Sequence, residues 1–394
     1  MRSRILFVDD EPLMREFYSM VGAMLGSNYE VFTASSGKEG LEFLRRTPVD
    51  IVISDLVMPE MNGQEFMAAV SHDHPESMRI VISAHEDQLT VAQCLMFGHR
   101  YFSKPFDLKH LAGVLKRICH LKHQVGSEKL KRVISGLGAL PTPPRVYMRL
   151  TEALNSPYSS IDEIGAIVQE DPALTLKLLQ ISNSAYFGVS QKIVTPMEAV
   201  QIVGLEILRA LVLCIHAFKF YQDKKFRSIS ITELWDHSLR TATAARKLAR
   251  HENLPAEQCE ETFVSGLLHD IGKLILAANA EKDYRVALEL SSRTALPLEQ
   301  AEAGIFATTH AHVGAYLLAL WGVPESVISG VELHHSLDPA RIDSFNAAVA
   351  VHVAQNLLPG ETRRKSLDTE LIARLGLSDR LAPWEEAVAR TLKC

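Results

Sequence analysis

The amino-acid sequence predicts an α/β doubly wound domain built on a five-stranded parallel sheet, followed by an all-α domain. Short runs of β-branched residues recur through roughly the first 120 residues, and amphipathic segments lie between them. After Gly126 the strand signal disappears and only helical patterns remain. Near-continuous apolar runs are typical of strands buried on both faces, and strands that alternate with helices favour a parallel sheet.

The elements of the first domain are predicted in order along the chain. Helical patterns lie between the strands, for example at residues 13–25 and 63–70. The last helix is expected to begin near Asp107, which is a good N-cap, and to end at about His123. Five apolar runs are predicted to form the strands: residues 5–8, 31–33, 51–54, 80–83 and 101–103.

The second part of the chain is a succession of helical patterns separated by breaks that are rich in proline and glycine. Residues 141–144 form one such break, and Asp171 with Pro172 is typical of an N-cap followed by a first-turn proline. We therefore expect a first domain over residues 1–123 and a helical linker over 124–135. A helical domain with a C-terminal helical extension is expected over 136–394.

The composition argues against several classes of protein. The net charge of −6, from 41 basic and 47 acidic residues, disfavours binding to nucleic acid through overall charge. The five cysteines are scattered and form no CxxC, which argues against a disulfide framework or a zinc ribbon. The longest apolar stretch, residues 207–218, contains Arg209 and His216 and is too short to span a bilayer. Because the chain reaches Asp9 too early for a signal peptide, we expect a cytoplasmic protein without membrane insertion.

Polar side chains are predicted to converge at one edge of the sheet. Asp9 and Asp10 follow the first strand, and Asp55, Ser83 and Lys104 end the third, fourth and fifth. Clustered carboxylates repel each other unless a cation lies among them, and Mg²⁺ suits oxygen ligands. A lysine and a serine aimed at the same point would bind phosphoryl oxygens. For each position alone, the alternative is a helix cap or a turn.

These motifs resemble the receiver domain of bacterial two-component response regulators, over roughly residues 3–123. The resemblance implies a flavodoxin-like fold in which a sensor histidine kinase phosphorylates Asp55. It also implies that Ser83 and Lys104 hold the phosphoryl oxygens, and that Tyr101 is the aromatic residue that turns inward on activation. Mg²⁺ would be bound by Asp9, Asp10, Asp55 and the carbonyl of Val57. The matching segments are Val8-Asp9-Asp10-Glu11-Pro12, Asp55-Leu56-Val57-Met58-Pro59, Asn62-Gly63, Ser83-Ala84 and Lys104-Pro105-Phe106.

A second group of residues in the helical part has metal-ligand chemistry. Imidazoles with one carboxylate suit iron, manganese or zinc, and an adjacent His-Asp pair could bridge two ions. For any one of these histidines, the alternative is a core or surface residue with satisfied hydrogen bonds. The group comprises His237, His269, Asp270, His310, His334 and His335.

This part of the chain resembles the HDOD domain, a helical output module related to the HD hydrolases and generally regarded as lacking their catalysis. The resemblance covers about residues 130–358. It rests on residues 140–144, 171–174, 181–188, 199–204, 235–238, 266–270, 310–314 and 321–324.

Two departures from the hydrolases bear on chemistry. The resemblance places Gln355 where HD phosphodiesterases carry a closing aspartate, and Ser336 to Pro339 stand in place of a Gly-Tyr-Pro element. The six potential ligands are nevertheless retained, so a vestigial site for iron, manganese or zinc is an open alternative, and Lys273 could meet a phosphate. Two divalent ions facing one carboxylate would leave excess positive charge, which disfavours a dinuclear centre.

Two functional hypotheses follow. The first is a response regulator whose non-catalytic HDOD domain acts through contacts with an unidentified protein partner. The alternative is a receiver-gated, metal-dependent phosphodiesterase that acts on a cyclic dinucleotide or nucleotide. A DNA-binding regulator is disfavoured because no basic recognition helix stands out. A homodimer is left open.

Overall fold

The structure, a computed structural model, describes residues 2–74, 76–83, 100–125, 159–170, 195–205, 228–320, 323–358 and 367–391, with a few residues between 149 and 212. The described chain falls into two compact units, one that holds a β-sheet and one that is helical. Parts of the motifs named above lie outside the described residues. These are residues 84, 140–144, 171–173, 181, 183–188 and 321–322, together with the linker from residue 126 and the side chain of Tyr101.

The first unit contains a parallel five-stranded sheet, as predicted. The strand order is β2-β1-β3-β4-β5, with β3 at the centre. Strands β3 and β4 are buried along their whole length, which explains their near-continuous apolar sequences. The strands are β1 (Ser3–Val8), β2 (Tyr29–Ala34), β3 (Ile51–Asp55), β4 (Met78–Ser83) and β5 (Arg100–Ser103).

Four described helices accompany the sheet, and three of them begin with a side-chain cap. Ser36 and Asp107 each accept a hydrogen bond from a backbone N–H in the first turn, and Asn62 forms a reciprocal capping box with Glu65. The predicted helix after Asp107 is confirmed and ends one residue later than expected. The helices are α1 (Pro12–Leu25), α2 (Gly37–Arg46), α3 (Gly63–Asp73) and α4 (Leu108–Gln124).

The second unit is helical throughout its described residues, which confirms the predicted all-α class. Its described helices are α5 (Ile161–Gln169), α6 (Pro196–Val203), α7 (Ile231–His251), α8 (Ala256–Leu268), α9 (Ile271–Asn279), α10 (Glu281–Thr294), α11 (Leu298–Phe306), α12 (His310–Leu320), α13 (Glu325–Glu332), α14 (Ala347–Leu357), α15 (Thr369–Arg374) and α16 (Leu381–Thr391).

Helix α7 lies at the centre of this unit and packs against α8, α14 and α16. A Cβ atom at Gly266 would lie 2.5 Å from the Cα of Ala242, so the glycine permits the close approach of α8 to α7. The C-terminal helices are tied to the same core. Trp384 is fully buried, and its indole Nε1 donates a hydrogen bond to Glu252 Oε1 at 2.9 Å.

Within the described part of the chain, no single helix has both the length and the apolar character needed to cross a membrane. The pair α11 and α12 reaches that length and composition only when taken together, and the two helices are bent by 77°.

Candidate functional site

The predicted polar residues of the first unit lie at the carboxyl edge of the sheet. Asp9 directly follows β1, Asp55 and Ser83 are the last residues of β3 and β4, and Lys104 directly follows β5. Because the strands are parallel and paired in register, their carboxyl ends meet at one edge. The topology therefore places these residues where the sequence predicts them.

A half-buried lysine joins two of the carboxylates. The Nζ of Lys104 donates to Asp9 Oδ2 at 3.1 Å and to Asp55 Oδ2 at 2.5 Å. The Asp9 side chain is fully buried, and those of Lys104 and Asp55 are 16% and 11% exposed. Burial alone would lower the pKa of Lys104, but its bonds to Asp55 and Asp9 raise it. Lys104 is therefore an internal cation in an acidic pocket.

The backbone around Asp55 fixes that carboxylate. Asp55 Oδ1 accepts hydrogen bonds from the backbone N–H of Leu56 at 2.6 Å and of Val57 at 3.3 Å. A Cβ atom at Gly63 would lie 2.0 Å from the carbonyl oxygen of Asp55, so only glycine fits at the start of α3. This close approach explains the Asn62-Gly63 pair in structural terms.

Tyr18 is a member of this site that the sequence did not reveal. Its hydroxyl donates to Asp9 Oδ2 at 2.9 Å, and the residue is 1% exposed. Burial and the neighbouring carboxylates raise the pKa of Tyr18 far above its usual value. A tyrosine on the apolar face of a helix carries the same pattern as a core residue, so no signal in the sequence marked it.

The donor set fits a hard divalent cation. Asp9, Asp10 and Asp55 contribute three carboxylates, which outnumber the ammonium of Lys104 and the guanidinium of Arg15, whose Nη1 donates to the Asp9 and Asp10 carbonyls at 2.8 Å. Oxygen ligands suit Mg²⁺. Asp10 is half-buried and adjoins Asp9, whereas Ser83 is 1% exposed at the end of β4. The hydrogen bonds of Lys104 join Asp9 and Asp55.

The second candidate site lies where several helices of the helical unit begin or end. His237 is on α7, and His269 and Asp270 form the junction between α8 and α9. His310 begins α12, and His334 and His335 follow α13. The structure brings the six predicted residues together in two groups that share Asp270. One group is His237, His269 and Asp270, the other is Asp270, His310, His334 and His335, and within each group the potential ligand atoms lie within 4.8 Å of one another.

Each oxygen of Asp270 faces a different part of this cluster. Asp270 Oδ1 lies 3.2 Å from His310 Nε2 and 3.8 Å from His334 Nε2. Asp270 Oδ2 accepts a hydrogen bond from Lys273 Nζ at 2.6 Å and lies 3.4 Å from His269 Nε2. Lys273 therefore neutralises one side of the carboxylate, and the side chains of both residues are less than 10% exposed.

Contacts outside the cluster orient the imidazole rings. The Nδ1 atoms of His269 and His334 lie 2.7 and 2.6 Å from the carbonyl oxygens of Gly266 and Val331. Because a carbonyl oxygen only accepts, each Nδ1 donates, and each Nε2 carries a lone pair that can accept a hydrogen bond or bind a metal. Metal-binding histidines commonly show this pattern. His269 Nε2 lies 3.2 Å from His237 Nε2, whereas His334 Nε2 has no hydrogen-bond partner among the described residues.

His310 is oriented by a carboxylate that sequence reasoning missed. Glu302, on α11, accepts from the backbone N–H of His310 at 2.8 Å and lies 2.6 Å from its Nδ1, both through Oε2. Glu302 is fully buried. It lies eight residues before His310 on a different helix, so neither periodicity nor motif spacing indicated the contact.

The electrostatics of the cluster favour neutral imidazoles at most positions. Burial lowers the pKa of His269 to about 3 and holds the pKa values of His334 and His335 well below their usual range. Burial also opposes protonation of His310, but Glu302 and Asp270 raise its pKa. Although burial would raise the pKa of Asp270, His269 and Lys273 hold it well below its usual value.

One metal ion fits the Oδ1 side of Asp270. Within the described residues, His334 Nε2 is buried without a hydrogen-bond partner, and Asp270 Oδ1 forms an ion-pair contact with His310 Nε2 at 3.2 Å but no well-aligned hydrogen bond. Together with His310 and His335 they form a nitrogen and oxygen donor set of the kind that iron, manganese or zinc prefers. On the Oδ2 side, Lys273 already supplies a positive charge.

Gln355 makes a backbone contact beside this cluster. Its Nε2 donates to the carbonyl oxygen of His334 at 2.5 Å, and His352 Nδ1 lies 2.8 Å from the same oxygen. The Oε1 atom of Gln355 has no hydrogen-bond partner among the described residues. The side-chain amide thus holds the backbone that carries His334.

Comparisons with known proteins identify two domains. The HDOD domain family matches residues 140–337, half of the chain, and the response regulator receiver domain matches residues 5–116. A crystal structure of an HDOD domain protein with unknown function from Geobacter sulfurreducens covers 71% of this chain and 99% of its own, with a TM-score of 0.50 and 22% identity. That likeness concerns the fold alone.

Two relatives match different parts of the chain. An uncharacterized protein of Treponema pallidum (strain Nichols) is 26% identical over 238 residues, which are 59% of this chain and 45% of that protein. The transcriptional regulatory protein GlrR of Escherichia coli (strain K12) is 35% identical over 108 residues, which are 27% of this chain and 23% of that protein. The chain therefore spans less than half the length of either relative.

Proposed function

The chain belongs to the HDOD domain family and carries a response regulator receiver domain, and from this premise we propose that a sensor histidine kinase phosphorylates Asp55. Phosphorylation then controls the HDOD output domain. The observation that carries this proposal is the position of Lys104, whose ammonium group bridges Asp9 and Asp55 at the carboxyl edge of the sheet.

The acidic pocket has the parts that phosphoryl transfer to a carboxylate requires. An oxygen of Asp55 attacks phosphorus, a P–O bond forms, and the P–N bond to the donor histidine breaks with its electron pair retained by the imidazole. Mg²⁺, held by Asp9, Asp10, Asp55 and the Val57 carbonyl, would supply positive charge to the phosphoryl oxygens. Lys104, kept protonated by its two carboxylates, donates to a phosphoryl oxygen, and Ser83 at the end of β4 donates to another.

Labelling with acetyl phosphate and Mg²⁺ tests the assignment of Asp55. Intact-mass measurement should find one added phosphoryl group in the wild type and none in Asp55→Asn. Asp50→Asn is the matched control, because Asp50 lies just before β3, at the opposite end from Asp55, and contacts Lys122 and the Arg4 backbone. Undiminished labelling of Asp55→Asn, or its loss in a folded Asp50→Asn variant, would contradict the assignment.

We further propose that the HDOD domain acts through protein contacts without hydrolysing a substrate. Activation of a metal-bound water depends on a complete and correctly held coordination sphere. Gln355 offers no charge and donates to the backbone of His334, and Lys273 takes one side of Asp270. The protein loaded with Mn²⁺ or Fe²⁺ should hydrolyse cyclic di-GMP no faster than a His269→Ala, Asp270→Ala variant.

A metal-dependent phosphodiesterase acting on a cyclic dinucleotide or nucleotide is the second candidate. It is favoured by one observation: His334 Nε2 is buried without a hydrogen-bond partner among the described residues, 3.8 Å from Asp270 Oδ1, an oxygen that itself makes no well-aligned hydrogen bond there. Metal analysis of protein purified without chelator would separate the two candidates when it is combined with the hydrolysis assay. Bound metal with multiple turnovers that disappear in the double variant would establish the enzyme.

A further inference from the structure

The hydroxyl of Tyr18 contacts a predicted magnesium ligand from inside the protein core. We propose that Tyr18 is a positioning residue for the magnesium site, holding the Asp9 carboxylate in the orientation that binds the ion. This inference rests on the proposed function of the acidic pocket. Tyr18 would affect phosphoryl transfer only indirectly, by holding Asp9, and would not touch the reacting atoms itself.

The Tyr18 ring is held in place by its neighbours. It stacks on Phe7, with ring centroids 4.3 Å apart and planes inclined by 14°, and it meets the edge of Phe17 at 6.5 Å. Phe17 in turn contacts Phe106, which lies two residues after Lys104. A ring fixed on two sides places its hydroxyl at one point, and at that point it contacts Asp9.

The hydrogen bonds of Asp9 leave little freedom to its carboxylate. An ionised carboxylate offers about four lone-pair sites. The backbone N–H of Glu11 donates to Oδ1 at 3.0 Å, and Tyr18 and Lys104 donate to Oδ2. Roughly one site therefore remains for a metal ion or its water.

Tyr18 differs from Lys104 in whether its hydrogen bond to Asp9 Oδ2 can persist after phosphorylation. Lys104 is shared with Asp55 and is expected to turn toward the phosphoryl group, which would remove its restraint on Asp9. The Tyr18 hydroxyl has no role at the phosphoryl group and can keep its bond. It is therefore the side-chain donor that can hold Asp9 Oδ2 both before and after transfer.

Removing the hydroxyl alone separates positioning from packing. Tyr18→Phe keeps the ring and its stacking on Phe7 but leaves Asp9 Oδ2 with one donor fewer. Partners that orient a metal ligand typically contribute 10–100-fold to metal affinity. We expect the dissociation constant for Mg²⁺, measured by calorimetric titration of the full chain, to rise about tenfold. Tyr29 is a half-buried tyrosine elsewhere in the same unit. Tyr29→Phe should therefore leave the Mg²⁺ dissociation constant within about twofold of the wild-type value.

A second measurement follows labelling by acetyl phosphate as a function of Mg²⁺ concentration. For Tyr18→Phe the half-saturating Mg²⁺ concentration should rise about tenfold, whereas the rate at saturating Mg²⁺ should stay near that of the wild type. A purely structural role would instead lower the unfolding temperature without metal and leave the Mg²⁺ dependence unchanged. That outcome, or tighter Mg²⁺ binding by Tyr18→Phe, would overturn the proposal.

A double-mutant cycle keeps the proposal testable if Tyr18→Phe is less stable. Because Tyr18 acts through Asp9, adding Tyr18→Phe to Asp9→Ala should change Mg²⁺ affinity by less than about twofold. A full tenfold effect in the Asp9→Ala background would refute the mechanism. If the wild type itself bound no Mg²⁺, the proposed function of the pocket would fail as well, so the two failures are distinguishable.

Discussion

Among single residues, two lysines have comparable electrostatic roles in the two units. Lys104 pairs with Asp9 and Asp55, and Lys273 pairs with Asp270. In each case an ammonium group partly neutralises a buried carboxylate that would otherwise carry a large desolvation cost. The difference lies in the surroundings. The first pocket keeps an excess of carboxylates and so favours a cation, whereas the second is surrounded by imidazoles held largely neutral by burial.

Substitution of Gln355 tests whether the histidine cluster around Asp270 is a metal site that has lost one carboxylate ligand. Gln355→Asp replaces the amide that donates to the His334 carbonyl with a buried carboxylate that has no donor of its own. We expect the free energy of unfolding, measured in chelator, to fall by about 1–3 kcal/mol. The free energy of unfolding should fall by less for Gln355→Met, because methionine buries no charge.

The second part of this test compares the stability of the two Gln355 variants with and without Mn²⁺. If the new carboxylate reaches an ion held by the histidines, Mn²⁺ should restore the stability of Gln355→Asp but not of Gln355→Met. Equal stability of Gln355→Asp and the wild type in chelator would contradict the structural role of the amide.

The sequence predicted the residues that follow strands and missed those that act from another helix. Asp55 and Lys104 could be placed because parallel strands end at one edge, so position along the chain determines position in space. Tyr18 and Glu302 could not be placed, because their contacts depend on how a helix packs and on side-chain rotamers. Neither variable leaves a periodic trace in the sequence. The receiver and HDOD motifs therefore pointed to the proposed ligands but not to the groups that contact and orient them.

Among the helices, the packing of α9 against α12 sets the geometry of the histidine cluster. Asp270 precedes α9, and His310 begins α12. A Cβ atom at Gly272 would lie 2.0 Å from the carbonyl oxygen of His310 and 2.9 Å from the backbone nitrogen of Gly314. The two helices therefore come into backbone contact, and this contact brings Asp270 to His310.

Gly272→Ala should disrupt this packing, with Gly304→Ala as its matched control. The added methyl group forces α9 away from α12, so the free energy of unfolding should fall by about 3 kcal/mol, the upper range for overpacking. Gly304 lies in α11 with open space at its Cβ position, so its substitution should be neutral or add about 0.5–1 kcal/mol. Chemical denaturation measures both variants. Equal effects would contradict the role assigned to the α9–α12 contact.

At the scale of the whole chain, the stability of the helical unit should depend on pH. Burial lowers the pKa values of His269, His334, His335 and His352 in the helical unit. The folded state keeps these imidazoles neutral, while the unfolded state takes up protons below about pH 6.5. Each group therefore costs up to about 1.4 kcal/mol of stability per pH unit below that value.

His310 acts in the opposite direction, but one group cannot offset four. Its raised pKa contributes stability that is present below the unfolded value and lost as the pH rises through the folded one. The helical unit should therefore lose stability between pH 7 and pH 5. Trp235 and Trp384 are buried in this unit, so denaturation followed by their fluorescence in chelator reports on it. A midpoint that stayed constant over that range would contradict the expectation, and the exposed His72→Gln should leave the slope unchanged.

Phosphorylation supplies enough free energy to shift a two-state equilibrium in this protein. Charge-assisted contacts from Lys104, Ser83 and Mg²⁺ to a phosphoryl group contribute roughly 1.5–3 kcal/mol each. Moving an equilibrium from 1:99 to 99:1 needs about 5.5 kcal/mol. Two such contacts near the upper end of that range, or three at about 2 kcal/mol each, reach this value if they form only in the active state. If Asp55 is phosphorylated as proposed, we predict that the modification shifts an equilibrium between two states of the chain rather than building a new site.

Helix α4 is the element through which such a shift should pass along the chain. It begins four residues after Lys104, and its last turn is tied to the first unit by Lys122, which lies 2.9 Å from Asp50, and by His123, which lies 3.0 Å from Ser3. Beyond α4 the chain continues into the residues that precede the HDOD domain. Beryllofluoride should therefore change hydrogen exchange across residues 84–130 in the wild type and leave Asp55→Asn unchanged. Because Lys122 and His123 restrain the far end of α4, exchange there should respond together with exchange near Lys104. A response limited to the acidic pocket would show that the free energy of phosphorylation is not passed along α4.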